Sequence, residues 1–172
     1  MADGGSLHVH AFEPGQDTER ELRDALGRFA TGICVVTTQT ADGPLGITAN
    51  SFASVSLDPP LVLWSPALAS KRCDAFVNAD HFAIHILGEE QKHYCDTFAT
   101  GGRDFDQLDW QPSAQNVPLL TTCLARFECD RYAVHDGGDH AIIIGKVTSA
   151  TVGEGAPLIF AQGAYGRFAK ME

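Results

Sequence analysis

The sequence predicts a mainly β fold with a few helices, closing as a small antiparallel barrel. β-branched and aromatic runs outnumber helical stretches, and they recur at short intervals with Gly, Pro and Asp between them. The two longest, Cys123 to His135 and His140 to Val152, flank Asp136-Gly137-Gly138-Asp139 as the arms of a hairpin. At 172 residues the chain is one domain by the usual prior of roughly 100–200 residues each. Residues 1–17, with Gly4, Gly5, Pro14 and Gly15, read as a flexible arm, and 18–172 as the folded unit.

Thr18-Glu19-Arg20-Glu21 has the form of a capping box, and Leu22, Ala25, Leu26 and Phe29 follow at helical spacing. Gly32 ends this helix, and Ile33 to Thr40 is a β-branched strand. Ala41-Asp42-Gly43-Pro44 supplies turn chemistry before a paired strand from Gly46 to Ser51, so a helix and a hairpin form the N-terminal unit. Asp58-Pro59-Pro60 interrupts any ladder, and Leu61 to Trp64 resumes it. Ser70 is placed to cap a helix running through Phe76. His81 to Leu87 is a strand, Glu89 to Phe98 a short polar helix stopped by Gly101-Gly102, and 103–118 a long loop. Pro157 to Ala161 is a further strand, and Gly163 to Phe168 closes the chain.

Composition narrows the function. A net charge of −10 leaves no clustered basic surface for nucleic acid. No apolar run approaches the roughly 20 residues needed to span a bilayer, and no charged-then-apolar opening suggests secretion, so a cytoplasmic protein is expected. The five cysteines (34, 73, 95, 123 and 129) are odd in number and lack a C-x-x-C pair, which indicates neither a disulfide framework nor a zinc site. His81 and His85 are four apart on a strand, which is not the helical metal pair, and His8 and His10 lie in the arm. No metal is expected. A hydrolase G-x-S-x-G elbow and a strand-borne G-x-G-x-x-G are both missing from the sequence.

Three places carry candidate chemistry. Between Gly46 and Val62, small hydroxylated residues (Thr48, Asn50, Ser51, Ser54, Ser56) stand where a purely structural segment would hold aliphatics. They admit a ligand close to the backbone and offer it donors. Spacing alone does not choose between such a site and an ordinary loop. Ser70-Lys71-Arg72 puts two cations at a helix start, where the dipole disfavours them unless an anion is bound. His140 follows the Gly137-Gly138 turn but is not needed to make it.

Thr48-Ala49-Asn50-Ser51-Phe52, Ser54-Val55-Ser56-Leu57 and Pro59-Pro60-Leu61-Val62, followed by Gly138-Asp139-His140, resemble the flavin reductase-like family. These are the short-chain NAD(P)H:flavin oxidoreductases that supply reduced flavin to two-component monooxygenases. The likeness runs from about Leu22 to Tyr165. It implies a split β-barrel of Greek-key, FMN-binding type, a homodimer with the flavin near the interface, FMN or FAD with NADH or NADPH, and an oxygenase partner. By this likeness Gly46, Ile47, Thr48, Asn50 and Ser51 line the flavin ring and ribityl chain, and Ser65, Pro66 and Ala67 close over the ribityl–phosphate region. Ser70, Lys71 and Arg72 meet phosphate, Phe105 contacts flavin, and His140 and Tyr165 face the nicotinamide, with His140 as the catalytic candidate. The chain departs from the pattern at Arg103-Asp104-Phe105, where the cation is displaced by one place, and at Gly163-Ala164-Tyr165, where an arginine is replaced by Ala164 and Arg167 is the substitute. A flavin-retaining reductase of ferric or other acceptors, a non-catalytic flavin carrier and a pyridoxamine-phosphate-oxidase-like protein are the rival readings.

Overall fold

The computed structural model describes residues 9–171. Residues 1–8, the first part of the expected arm including His8, lie outside the described residues, as does Glu172. The elements run α1 (Glu19–Leu26), β1 (Thr31–Gly32), β2 (Cys34–Thr40), β3 (Gly43–Ala49), β4 (Ala53–Leu57), β5 (Pro60–Trp64), α2 (Cys73–Asn78), β6 (His81–Ile86), α3 (Lys92–Thr100), β7 (Trp110–Pro112), β8 (Pro118–Leu120), β9 (Ala125–Gly137), β10 (His140–Val152), β11 (Leu158–Ala161) and β12 (Ala164–Arg167). Among the described residues, no helix is long and apolar enough to cross a membrane.

The mainly β class holds. Seven antiparallel strands form the principal sheet in the order β3-β2-β6-β9-β10-β5-β4, and a smaller sheet has the order β1-β11-β12. Backbone pairing leaves β3 and β4 as opposite ends of the principal sheet, so the ladder does not run round into a closed cylinder. Register shifts in the β9–β10 pair after Ile144 and Val147 let these long strands bend.

Strand β2 shows why the sheet sits at the centre. Its residues alternate between two cores: Cys34 and Val36 join Leu45, Ile47, Trp64, Phe76 and Phe82, while Val35 joins Tyr94, Cys95, Phe98 and Phe105. A strand buried on both faces reads as a continuous apolar run. Trp64 anchors the first core with its ring edge-on to Phe76 at 5.1 Å.

The start of the chain differs from expectation. The proposed capping box is not made, because the turn Gln16–Thr18 runs straight into α1 and removes the free start at Thr18. Thr18 Oγ1 instead accepts the Gly15 N–H at 2.9 Å and donates to the Glu13 carbonyl at 2.9 Å. Glu21 pairs with His10 at 3.1 Å. The helix stops at Leu26, earlier than Gly32, because the next N–H groups, of Arg28 and Phe29, tighten onto carbonyls only three residues back, Ala25 and Leu26, at 3.1 Å each. Leu26 at its end and Phe29 just beyond it lie open, 66% and 79% exposed.

Two further segments correct the sequence reading. The chain from Ala53 to Leu57 is a strand, joined to β5 by a turn at the cis Asp58–Pro59 bond. The expected loop 103–118 contains β7 and the start of β8, which pair from Trp110↔Leu120 to Pro112↔Pro118. Its aromatics are structural: Phe105 packs against Phe98 at 5.0 Å and Trp110 at 5.5 Å.

Candidate functional site

The chain leaves β3 at Ala49 and re-enters the sheet at β4, so Asn50, Ser51 and Phe52 pass over the edge of the sheet. Ser51 fixes this crossing. Its Oγ donates to the Ser65 carbonyl at 3.2 Å and accepts the Ser65 N–H at 2.9 Å. The following loop is tied to the start of β10 by the Ala141 N–H on the Pro66 carbonyl, the Leu68 N–H on the Asp139 carbonyl and a bridge between Ala67 and His140. His140 therefore stands beside the 50–67 segment although 73 or more residues separate them in sequence. Its position depends on the hairpin tip, where Gly138 takes φ +79° and Asp136 Oδ1 accepts the Gly138 N–H at 2.8 Å.

Two cavities meet here. One of about 830 Å³ is lined by Thr31, Asn50, His140, Phe160 and Gln162 together with α1 residues. The other, about 170 Å³, is lined by Ile33, Thr48, Ala49, Asn50, Phe160 and Tyr165. They share Asn50 and Phe160, so they form one cleft between the end of β3, the tip of the β9–β10 hairpin and the β11–β12 hairpin. The cleft gathers Thr48, Asn50, His140 and Tyr165 from the sequence-derived set.

The polar groups of the cleft are set for binding. Asp139 Oδ1 accepts from His140 Nδ1 at 2.7 Å, which fixes the ring and holds the Asp139 carboxyl below its ordinary range. Among the described residues Nε2 of His140 has no partner, and the buried Thr31 hydroxyl has none either. A buried hydroxyl without a partner is costly in a chain that needs no ligand there. The cleft also offers aromatic walls, Phe160 and Tyr165, with rings 5.4 Å apart.

Other proposed residues fall elsewhere. Lys71 and Arg72 line a separate cavity of about 570 Å³ with Leu45 and residues 100–104. The Ser65–Ala67 loop leads from the cleft toward it, and Ser70 N–H bonds the Ala67 carbonyl at 3.0 Å. Lys71 is exposed. Arg72 is not a free phosphate ligand: its guanidinium donates to the carbonyls of Gly46 at 3.2 Å, Phe98 at 2.7 Å and Ala99 at 3.2 Å, and to that of Gly101. Among the described residues, Ser70 Oγ accepts only the Arg72 N–H, at 3.3 Å.

Gly46 and Ile47 are also committed inside the fold. A Cβ on Gly46 would come within 2.5 Å of the Phe98 ring, so the glycine serves the packing of α3 on β3. Its N–H bonds the Gly102 carbonyl at 2.7 Å. Ile47 belongs to the first core. Phe105 is 3% exposed, a core ring and not a cleft wall. Arg103 reaches Asp42 at 3.6 Å, and Arg167 pairs with Glu89 at 3.3 Å, so each is engaged by an acid. The sequence reading missed Thr31, Phe160 and Gln162. Their signal was the short hairpin around Gly163, which sets Phe160 directly opposite Tyr165.

This geometry coincides with a match, over residues 26–169, to the flavin reductase like domain. The chain is 54% identical over 161 residues to FMN reductase (NADH) SmoA of Agrobacterium fabrum, covering 94% of this chain and 92% of that protein. The chain belongs to the flavin reductase-like family. Within it, the chain is 38% identical to the flavin-dependent monooxygenase reductase subunit HsaB of Rhodococcus jostii, over 94% of this chain and 81% of that one. The fold superposes on a structure of the NADH:FAD oxidoreductase SgcE6 of Streptomyces globisporus in complex with NAD and FAD fragments. That likeness has a TM-score of 0.82 and 35% identity, over 92% of this chain and 98% of that one.

The residues present fit the family's chemistry. A flavin reductase needs an apolar slot for planar rings, hydroxyl and amide partners, and a cation for phosphate. The cleft supplies Phe160 and Tyr165, Thr31, Thr48 and Asn50, and Lys71 stands along the adjoining loop.

Proposed function

We propose that this protein is an NAD(P)H-dependent flavin reductase, which transfers hydride from NADH or NADPH to FMN or FAD and hands reduced flavin to an oxygenase component. The observation that supports it best is the shared cleft, where Asn50, His140 and the Phe160–Tyr165 hairpin converge from three separated segments in a chain of this family. The close likeness to a protein named for FMN and NADH favours that cofactor pair. The flavin supplies the two-electron redox chemistry when bound; the chain's part is to bind and orient.

Asn50, Thr48 and the Ser51–Ser65 clasp hold the ring side, the Ser65–Ser70 loop carries the middle of the ligand, and Lys71 meets phosphate. Gly46, Ile47 and Phe105 shape this site from behind. His140, oriented by Asp139, and Tyr165 face the nicotinamide. Proximity and alignment of the two rings account for most of the acceleration such a site offers. The exposed faces of α1 and β4, including Leu26, Phe29 and Leu57, support a homodimer that covers them and completes the split barrel.

The test is nicotinamide oxidation with and without added FMN or FAD, beside sedimentation at micromolar concentration. Consumption that rises with free flavin, by a dimer, is expected. Flavin binding without consumption would make the protein a carrier. A flavin that copurifies, with no stimulation by added flavin, would make it a flavin-retaining reductase of another acceptor.

For His140→Ala, we expect the KM for the nicotinamide nucleotide to rise about 3–10-fold, the equivalent of one lost hydrogen bond. Flavin affinity should stay near wild type. If His140 only pins the hairpin tip, the melting temperature and flavin affinity fall together while that KM is unchanged.

A further inference from the structure

All four residues of β12 are exposed, and the strand is the outer edge of a three-stranded sheet. An edge strand held by one ladder opens easily. Tyr165 is nevertheless held in place from the side by α3. Its hydroxyl and Cys95 Sγ are hydrogen-bonded at 3.1 Å, and Lys92 Nζ lies 4.8 Å from its ring centroid. Lys92 and Cys95 are three apart on a helix and share a face. Lys92 is itself steadied by Asp96 at 2.7 Å.

Cys95 does a second thing. Its carbonyl accepts the Thr48 hydroxyl at 2.7 Å. Thr48 and Tyr165 both line the smaller cavity, so one fully buried residue ties together two parts of its wall. The hydrogen bond to Cys95, with burial second, pushes the Tyr165 phenol up to about 12, so the ring is neutral at physiological pH.

We propose that Cys95 and Lys92 are positioning residues that hold the Tyr165 ring as a stacking wall of the cleft, and so set the affinity for the nicotinamide nucleotide without touching it. This rests on the reading of the cleft given under the proposed function. The thiol supplies the directional bond and the cation holds the ring face. Losing either lets β12 move and widens the gap that a planar ring must fill.

The experiment compares Cys95→Ala, Cys95→Ser, Tyr165→Phe and the double variant Cys95→Ala/Tyr165→Phe. It reads kcat and KM for NADH at saturating flavin, flavin affinity by fluorescence quenching, and amide exchange of residues 164–167 without ligand. In Cys95→Ala the KM should rise about 3–10-fold, the loss of one hydrogen bond, with kcat within about twofold and flavin affinity unchanged. Tyr165→Phe should match it, and the double variant should be no worse than either, since both remove the same contact. Cys95→Ser keeps a donor and acceptor and should restore the KM and slow β12 exchange. Multiplying effects in the double variant, or a Ser variant as impaired as Ala, would overturn the proposal. So would an unmoved KM in a turning-over Cys95→Ala enzyme whose β12 exchange has quickened; that result leaves the cleft reading intact. A wild-type protein that consumes no NADH with flavin defeats the cleft reading first.

Discussion

Replacing Arg72 with methionine is expected to unfold the protein at a melting temperature several degrees lower, while replacing its neighbour Lys71 with alanine leaves stability intact and weakens flavin binding. The two residues are adjacent cations in sequence with opposite fates in the structure. Arg72 donates to the last carbonyls of α3, at Phe98 and Ala99, and onward to Gly101 and to Gly46 on β3. Terminal helix carbonyls have no partner within the helix, and a cation there also suits the dipole. Partial burial lowers the Arg72 pKa below its ordinary value, and an arginine guanidinium remains charged at neutral pH. Charge-assisted bonds contribute about 1.5–3 kcal/mol each when sheltered. With solvent screening and shared geometry discounted, the whole set contributes about 2–3 kcal/mol. For a chain of this size that lowers the melting temperature by roughly 5–10 °C. Arg72→Lys should not rescue it, because one ammonium cannot fan out to four carbonyls. Lys71→Ala should change stability by less than about 0.5 kcal/mol. Its flavin affinity should fall about tenfold at low salt and less at high salt, as for one phosphate contact. Salt-independent, wild-type flavin affinity in Lys71→Ala would place the phosphate elsewhere, and an unaltered melting temperature in Arg72→Met would refute the structural role.

Stability is expected to fall steeply as pH drops below 6.5, because of His85. This imidazole is fully buried between β2 and β8. Nδ1 lies 3.1 Å from the Val35 carbonyl, and Nε2 accepts the Leu120 N–H at 3.1 Å. Only the neutral ring with its proton on Nδ1 satisfies both. A second proton on Nε2 would face the Leu120 N–H in a dry site. Burial, with a smaller contribution from the nearby Arg126 charge, therefore pushes the His85 pKa down to about 3. The unfolded chain takes up this proton near pH 6.5 and the folded chain does not until about 3. Below pH 6.5 the unfolded state binds more protons, so stability declines with falling pH through that window. The slope approaches 1.4 kcal/mol per pH unit, and about 2 kcal/mol is lost from roughly pH 7.5 to 5. Urea midpoints across this range, for wild type and His85→Gln, test it. The variant should be less stable at neutral pH and flatter in its pH dependence between 6.5 and 5. Parallel curves would show that His85 does not carry the effect.

His85 also shows where sequence reading stops. Its strand is legible from the short apolar run within 81–87, and placing His81 and His85 on a strand rules out a helical metal pair. Nothing local says that a backbone N–H from Leu120, 35 residues on, completes the ring's hydrogen bonding. Phe105 is similar. Its motif context suggests a ligand contact, but Phe98, Trp110 and the rest of the second core close over it, and burial removes it from any cleft.

By itself the sequence determined what depends on local pattern: the β class, the two long arms of the β9–β10 hairpin, the glycine turn that places His140, and the hydroxylated run from Thr48 to Ser51. Periodicity and turn chemistry are properties of neighbouring residues, so they survive without the fold. Only the tertiary structure decided which of the candidates share a cleft. Lys71 and Arg72 cannot be told apart by charge or position, and their roles separate because the carbonyl end of α3 packs beside one of them. Phe160 and Tyr165 join Asn50 because the pairing of β11 with the short strand β1, just before β2, brings the C-terminal hairpin back beside the end of β3. Such convergence is set by long-range packing, in which partners far apart in sequence supply the missing donors, acceptors and walls.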